Sequence, residues 1–322
     1  MIVKIGNADI KLPDFLVVGA ARAGTTTLYA YLDEHPDVFL PIKKEPMFFA
    51  VHGQGWSPID IRTGQKAGYV VDTLTGYVDL FKAAADAQLI GEASSWYLYY
   101  DQATIRNIKE IYGFKASDVK VIILLRNPAE RAWSHYWLKR RNGEEPLSFD
   151  QAIQPEVIRQ RLEKHYTAGF DYLGFGRYPR AVKNYLENFP QVKVLLFEEM
   201  IKDPPAVFSE ISRFLGLAPV PDIGSGKKWR NVAGPPKNAF FGLLARFIYK
   251  PSALKSLVKE AAPYRARADL KYRMAETLFH RERLPVELEK RLTDLYREDI
   301  LALARLLGRN FDQWLAPEKK EK

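Results

Sequence analysis

The stretch FLVVGAARAGTTTLYAYL, Phe15 to Leu32, constrains the fold of this chain more than any other. A short β-prone apolar run ends in glycine, a loop of small residues follows, and a helical pattern runs on to about His35. Strand, glycine loop and helix together offer backbone N–H groups and the positive end of a helix dipole to an anion. Gly19 and Gly24 have the spacing of G-x-x-x-x-G-K-[ST], and Thr26 takes the final position. Thr25 stands where the lysine belongs, and the nearest cation is Arg22, inside the loop. A purely structural glycine turn is the plain alternative.

Two more continuous apolar runs, VKVIILLR (119–126) and VKVLLF (192–197), have the pattern of buried parallel strands. Helices separate them: Asn127-Pro128 caps and opens one, 176–189 forms another, and Asp203-Pro204 opens a third that reaches Leu215. This alternation predicts an α/β fold, a P-loop-like doubly wound parallel sheet flanked by helices. Leu288, Leu292, Leu295, Ile300, Leu301, Leu303 and Leu306–Leu307 recur at helical spacing and predict a terminal helix packed back on the sheet. The expected organisation is one domain, 13–315, with a helical C-terminal extension. Within it, 218–238 is a cationic Gly/Pro loop and 237–283 a variable basic helical insertion.

Charge narrows the ligand. Lys and Arg number 48 against 39 Asp and Glu, a net +9 that suits an anionic partner. No cysteine is present, and the five histidines form no H-x-x-H pair, so no His/Cys metal centre is expected. The N-terminus lacks a signal-peptide core, and the longest apolar run, Ala239 to Tyr249, holds an arginine and is too short to span a bilayer. A soluble cytoplasmic protein is expected. Nucleic-acid binding has only charge behind it and is not expected.

ATP and GTP enzymes with such loops need the lysine and an acid for Mg²⁺. Here the 119–126 strand closes on Arg126; Glu198-Glu199 could imitate the acid, or simply open a helix. These departures favour an anion that needs cations and no metal. Arg126 lies where open α/β sheets bind ligands, and its burial would demand a bound anion or an acidic partner. Ser134, two turns into the next helix, is within reach of the same anion. Arg131 reads as a solvated helix face, and His135 and His165 as packing or surface residues.

The pairing of VVGAARAGTTTLYAYLDEHPDV with ILLRNPAERAWSHY resembles the sulfotransferases that use 3′-phosphoadenosine 5′-phosphosulfate (PAPS). The likeness is closest to the branch shared by heparan sulfate sulfotransferases and bacterial relatives. KKEPMFF (43–49), GEASSWYL (91–98), 176–200 and LARLLGRNFDQW (303–314) extend it over roughly 13–235 and 285–315. The resemblance implies that Arg22, Ala23, Gly24, Thr25, Thr26 and Thr27 hold the 5′-phosphosulfate. Arg22 replaces the family's usual lysine there and would stabilise the donor. Arg126 and Ser134 match the pair that binds the 3′-phosphate. Lys228, Trp229 and Arg230 resemble a cationic loop closing over it, with Trp229 on the adenine or else packing locally.

The resemblance also implies that Glu45 is the general base, against the plain reading of a surface carboxylate beside Lys43 and Lys44. Glu92, expected just after a short strand, and His52 are the alternative bases. Met47 and Ala93 replace a histidine and a lysine found in relatives. Lys44, Tyr172 and Tyr178 are candidates to line the acceptor site, the two tyrosines equally for core packing. The expected reaction moves a sulfuryl group to a hydroxyl, less readily an amine, of a small molecule, sugar, lipid or carrier-bound acceptor. Competing readings are a P-loop kinase using ATP–Mg²⁺ and a non-catalytic module whose 237–283 segment meets a membrane surface or partner.

Overall fold

The computed structural model describes residues 1–316 apart from 7, 87, 167, 219–233, 243, 245–269, 271, 272 and 281. Its centre is a five-stranded sheet, ordered β4 (Val38–Phe39), β5 (Leu89–Ala93), β3 (Phe15–Gly19), β6 (Lys120–Leu125) and β7 (Val192–Leu196), with every pairing parallel. All of β3 is buried and β6 is buried beyond Lys120, as continuous apolar runs between two helical layers require. At the sheet edge, β7 is buried only at Leu195 and Leu196.

After β3 the chain runs to β4 and β5 on one side, whereas after β6 it runs to β7 on the other. The loops leaving β3 and β6 therefore diverge above neighbouring strand ends and open the crevice where such sheets bind ligands. Three of these strands are plain in the sequence. Of the other two, β4 has only two residues, and β5 is the short strand expected before Glu92, extended to include it; its Gly91 is required because a Cβ there would lie 2.1 Å from the Phe15 ring. The antiparallel hairpin of β1 (Ile2–Ile5) and β2 (Ala8–Lys11) is a further addition.

Helix Pro128–Arg141 starts where its chemistry predicts: Asn127 Oδ1 accepts from the N–H groups of Ala129 and Glu130, and proline fills the first position. Helix Pro204–Leu215 repeats the device, with Asp203 accepting from Ala206. The terminal helix Val286–Leu307 forms as expected but lies against helices Pro128–Arg141 and Tyr178–Asn188 instead of on the sheet. Those helices already cover that face, so Leu292, Tyr296, Ile300 and Leu303 add a further layer, and Leu295 remains exposed. One apolar core runs from Val3 to Trp314; Ala275, Leu278 and Phe279 form a small separate cluster.

Candidate active site

The loop after β3 holds its shape through Gly24, which has φ 95° and caps helix Thr25–Leu32. A Cβ there would sit 2.5 Å from Met200 Cε and 2.8 Å from Phe197, so only glycine fits. Ala23, Thr25 and Thr27 are buried, while Thr26 turns outward in the first turn. No acidic residue occupies that turn, which leaves the amide end of the helix electropositive.

The elements predicted to share an anion meet in space. Arg22 donates to Ser134 Oγ through Nε at 3.1 Å and Nη2 at 2.9 Å. Arg126, 6% exposed, donates to Glu130 Oε2 at 2.9 Å and to the Arg22 carbonyl at 3.3 Å, and its guanidinium covers the Phe197 ring at 4.8 Å. The acidic partner demanded by burial is therefore Glu130, one turn on. Glu198, from the short helix after β7, accepts from the Asn127 N–H at 2.8 Å; burial pushes its carboxyl up. Its neighbour Glu199 pairs with Arg309.

Glu45 enters the same crevice. Its N–H donates to Ala93 at the end of β5, and its carboxylate accepts from the Ser95 N–H at 2.6 Å and from the Ser95 hydroxyl at 3.0 Å. Lys44 Nζ lies 3.3 Å from Glu45 Oε1 and 3.1 Å from Thr26 Oγ1. Four non-glycine residues among those described have positive φ, and three, Arg22, Glu45 and Met47, belong to these two loops. Such backbone strain concentrates at functional sites because the surroundings must hold it in place.

Several expected site residues need correction. Tyr172 is fully buried, with its hydroxyl donating to Glu145 at 2.7 Å, and Tyr178 is buried with its hydroxyl on the Arg126 carbonyl. Both are core residues and do not line an acceptor site; Tyr178 serves by fixing the backbone of Arg126. Glu92 lies within β5, wholly buried, and Tyr77 and Tyr97 donate to its Oε2 at 3.2 and 2.7 Å. Burial, helped by the charge of Glu45, pushes its carboxyl up to about 7 against those hydrogen bonds. Sealed in this way, it is not placed to meet an acceptor. Arg131 is no solvated residue: it is fully buried against His135 and the Tyr172 carbonyl.

His52 commits a ring nitrogen to the Asp72 carbonyl at 3.1 Å and packs on Phe48. The side chain of Glu45 is 22% exposed, so of the three candidate bases it is the accessible carboxylate in the crevice. Lys228, Trp229 and Arg230 lie outside the described residues, as does much of 237–283. Sequence reasoning passed over Ser95 and Phe197, which reach Glu45 and Arg126 only through long-range packing that no local spacing signals.

The sulfotransferase domain family matches residues 12–223. Human heparan sulfate glucosamine 3-O-sulfotransferase 3B1 is 25% identical over 215 residues, covering 66% of this chain and 48% of that protein. The membrane-associated sulfotransferase kil1 of Dictyostelium discoideum is 30% identical over 164 residues, 48% of this chain and 30% of its own length. The chain thus spans about half or less of the curated relatives it matches. The crystal structure of a sulfotransferase from Alicyclobacillus acidocaldarius superposes with a TM-score of 0.69 at 27% identity, covering 95% of this chain and 100% of that one. Among the described residues no helix is long and apolar enough to cross a membrane. With the family's domain matched over 12–223, more than half of this chain, and carried on the parallel sheet described above, this chain belongs to the sulfotransferases.

Proposed function

We propose that this protein transfers a sulfuryl group from PAPS to a hydroxyl acceptor by in-line displacement, with Glu45 as the general base. The observation that carries the reading is the meeting of Arg22 with Ser134 at the mouth of the β3 loop, beside Arg126. Three groups suited to phosphate oxygens converge there, and the amide end of helix Thr25–Leu32 adjoins them. The 5′-phosphosulfate would rest on the loop and helix end, and the 3′-phosphate against Arg126 and Ser134.

In the reaction the acceptor O–H gives its proton to Glu45 and its oxygen forms the new bond to sulfur. The bond from sulfur to the 5′-phosphate oxygen breaks, and adenosine 3′,5′-bisphosphate leaves with the electron pair. Ser95 fixes the Glu45 carboxylate with two donors, so the base is held before the acceptor arrives. The acceptor hydroxyl belongs to a sugar, lipid, small metabolite or carrier-bound chain; the relative named as a glucosamine 3-O-sulfotransferase favours a sugar.

Calorimetric titration with adenosine 3′,5′-bisphosphate, beside ATP with and without Mg²⁺, tests the donor site. Tight metal-independent binding of the bisphosphate is expected, and preferential binding of ATP–Mg²⁺ would replace this reading with a kinase. Glu45→Gln is expected to keep bisphosphate affinity while lowering turnover by about 10²–10⁴-fold. Full activity of that variant would remove Glu45 from the role of base.

A further inference from the structure

The β3 loop lacks a lysine at Thr25, and Arg22, the cation within it, points both Nε and Nη2 at Ser134 on helix Pro128–Arg141. Another cation stands at the outward face of the loop. Lys44 Nζ reaches Thr26 Oγ1 at 3.1 Å, in the first turn of the helix whose amide end faces the donor, and Glu45 Oε1 at 3.3 Å. Its side chain is 10% exposed and its ammonium lies over the Tyr29 ring at 5.8 Å. One ammonium therefore touches the donor cradle and the proposed base together. The backbone holds it there: Glu45 N–H donates to Ala93, Met47 N–H donates to Ser94 Oγ, and both residues have positive φ.

Resting on the sulfotransferase reading, we propose that Lys44 is a catalytic residue. It supplies through space, from the loop after β4, a positive charge at the Thr26 side of the β3 loop, while Arg22, turned to Ser134, serves mainly to bind the donor on that side. A cation fixed where charge develops lowers the barrier because it needs no reorganisation during the reaction. As the bond from sulfur to the 5′-phosphate oxygen breaks, negative charge builds on that oxygen and on the sulfuryl oxygens, beside the Lys44 ammonium. The same ammonium contacts Glu45 Oε1, so base and leaving group would share one counterion.

The slow transfer of sulfuryl to water, followed as bisphosphate released from PAPS, separates this role from acceptor binding, since water needs no acceptor site. For Lys44→Met we expect this hydrolysis at saturating PAPS to fall 30-fold or more. The calorimetric Kd for adenosine 3′,5′-bisphosphate should stay within threefold of wild type, and Lys44→Arg should recover part of the rate. Arg22→Met should split the other way, with the bisphosphate Kd raised tenfold or more and a smaller fall in kcat. Wild-type hydrolysis by Lys44→Met would overturn the proposal and return Lys44 to the acceptor side. A Lys44→Met protein whose rate loss is matched by lost bisphosphate affinity would also overturn it. Failure of the wild-type protein to bind the bisphosphate would instead remove the sulfotransferase donor site itself.

Discussion

Arg126 and Arg131 stand on either side of the start of one helix, both buried, and they belong to clusters of opposite design. Around Arg131 the polar groups are matched apart from its own Nε, which is buried without a hydrogen-bond partner among the described residues. Its guanidinium meets His135 Nδ1 at 3.2 Å and the Tyr172 carbonyl, while Glu145 beside it holds Arg161 through two contacts of 2.7 and 2.8 Å and takes the Tyr172 hydroxyl. Burial, and then the charge of Arg131, pushes the His135 pKa well down, so the ring stays neutral and accepts. Around Arg126 several cations gather: among the described residues Arg22, Arg126 and Lys44 lie with Glu130 and Glu45 in contact and Glu198 close enough to feel the Arg126 charge. A closed cluster stabilises the fold, whereas cationic donors oriented at the strand ends are suited to an anion. Burial of an arginine does not separate the two cases; the number and charge of its partners do.

Breaking the closed cluster should have the largest effect on stability. Glu145→Ala leaves Arg161 as an uncompensated buried cation and is expected to cost about 3–5 kcal/mol in denaturant unfolding. A loss below about 1 kcal/mol would show that water reaches this cluster and that the contrast with Arg126 is overdrawn.

Arg126→Ala should act on binding instead. Its charge-assisted contacts are worth about 1.5–3 kcal/mol, a loss of roughly 10- to 150-fold in bisphosphate affinity by calorimetry. The melting temperature should move far less than in Glu145→Ala. A large drop in melting temperature with unchanged affinity would place Arg126 in the same class as Arg131.

The smallest effect concerns Glu92. Its folded pKa of about 7 lies above that of an exposed glutamate, so the stability it contributes is full in acid and is lost as pH rises through about 7. Glu92→Gln retains an oxygen for Tyr77 and Tyr97 and cannot ionise. We expect it to melt a few degrees above wild type at pH 8 and to differ little at pH 5. Equal melting curves at both pH values would mean that the buried carboxylate is compensated when charged.

Much of the frame was legible because it rests on local rules. Continuous apolar runs marked β3, β6 and β7, Asn127-Pro128 and Asp203-Pro204 marked helix starts, and two glycines marked the anion loop. β4 escaped because two residues have no periodicity, and the short strand read before Glu92 runs on through Ala93 as β5. Around the crevice, residue types were legible but partners were not. Tyr172 and Tyr178 read equally well as acceptor walls or core, and Arg131 as a solvated face, because a side chain's burial depends on what the rest of the chain places over it.

The sequence by itself therefore determined the strand–loop–helix device, the parallel sheet and the supply of cations, since each follows from spacing and side-chain chemistry within a few residues. Tertiary structure alone decided which partner each charged group meets. Arg22 finds Ser134 across 112 positions and Glu45 finds Ser95 across 50, and such contacts are set by the packing of distant elements, which no local pattern encodes.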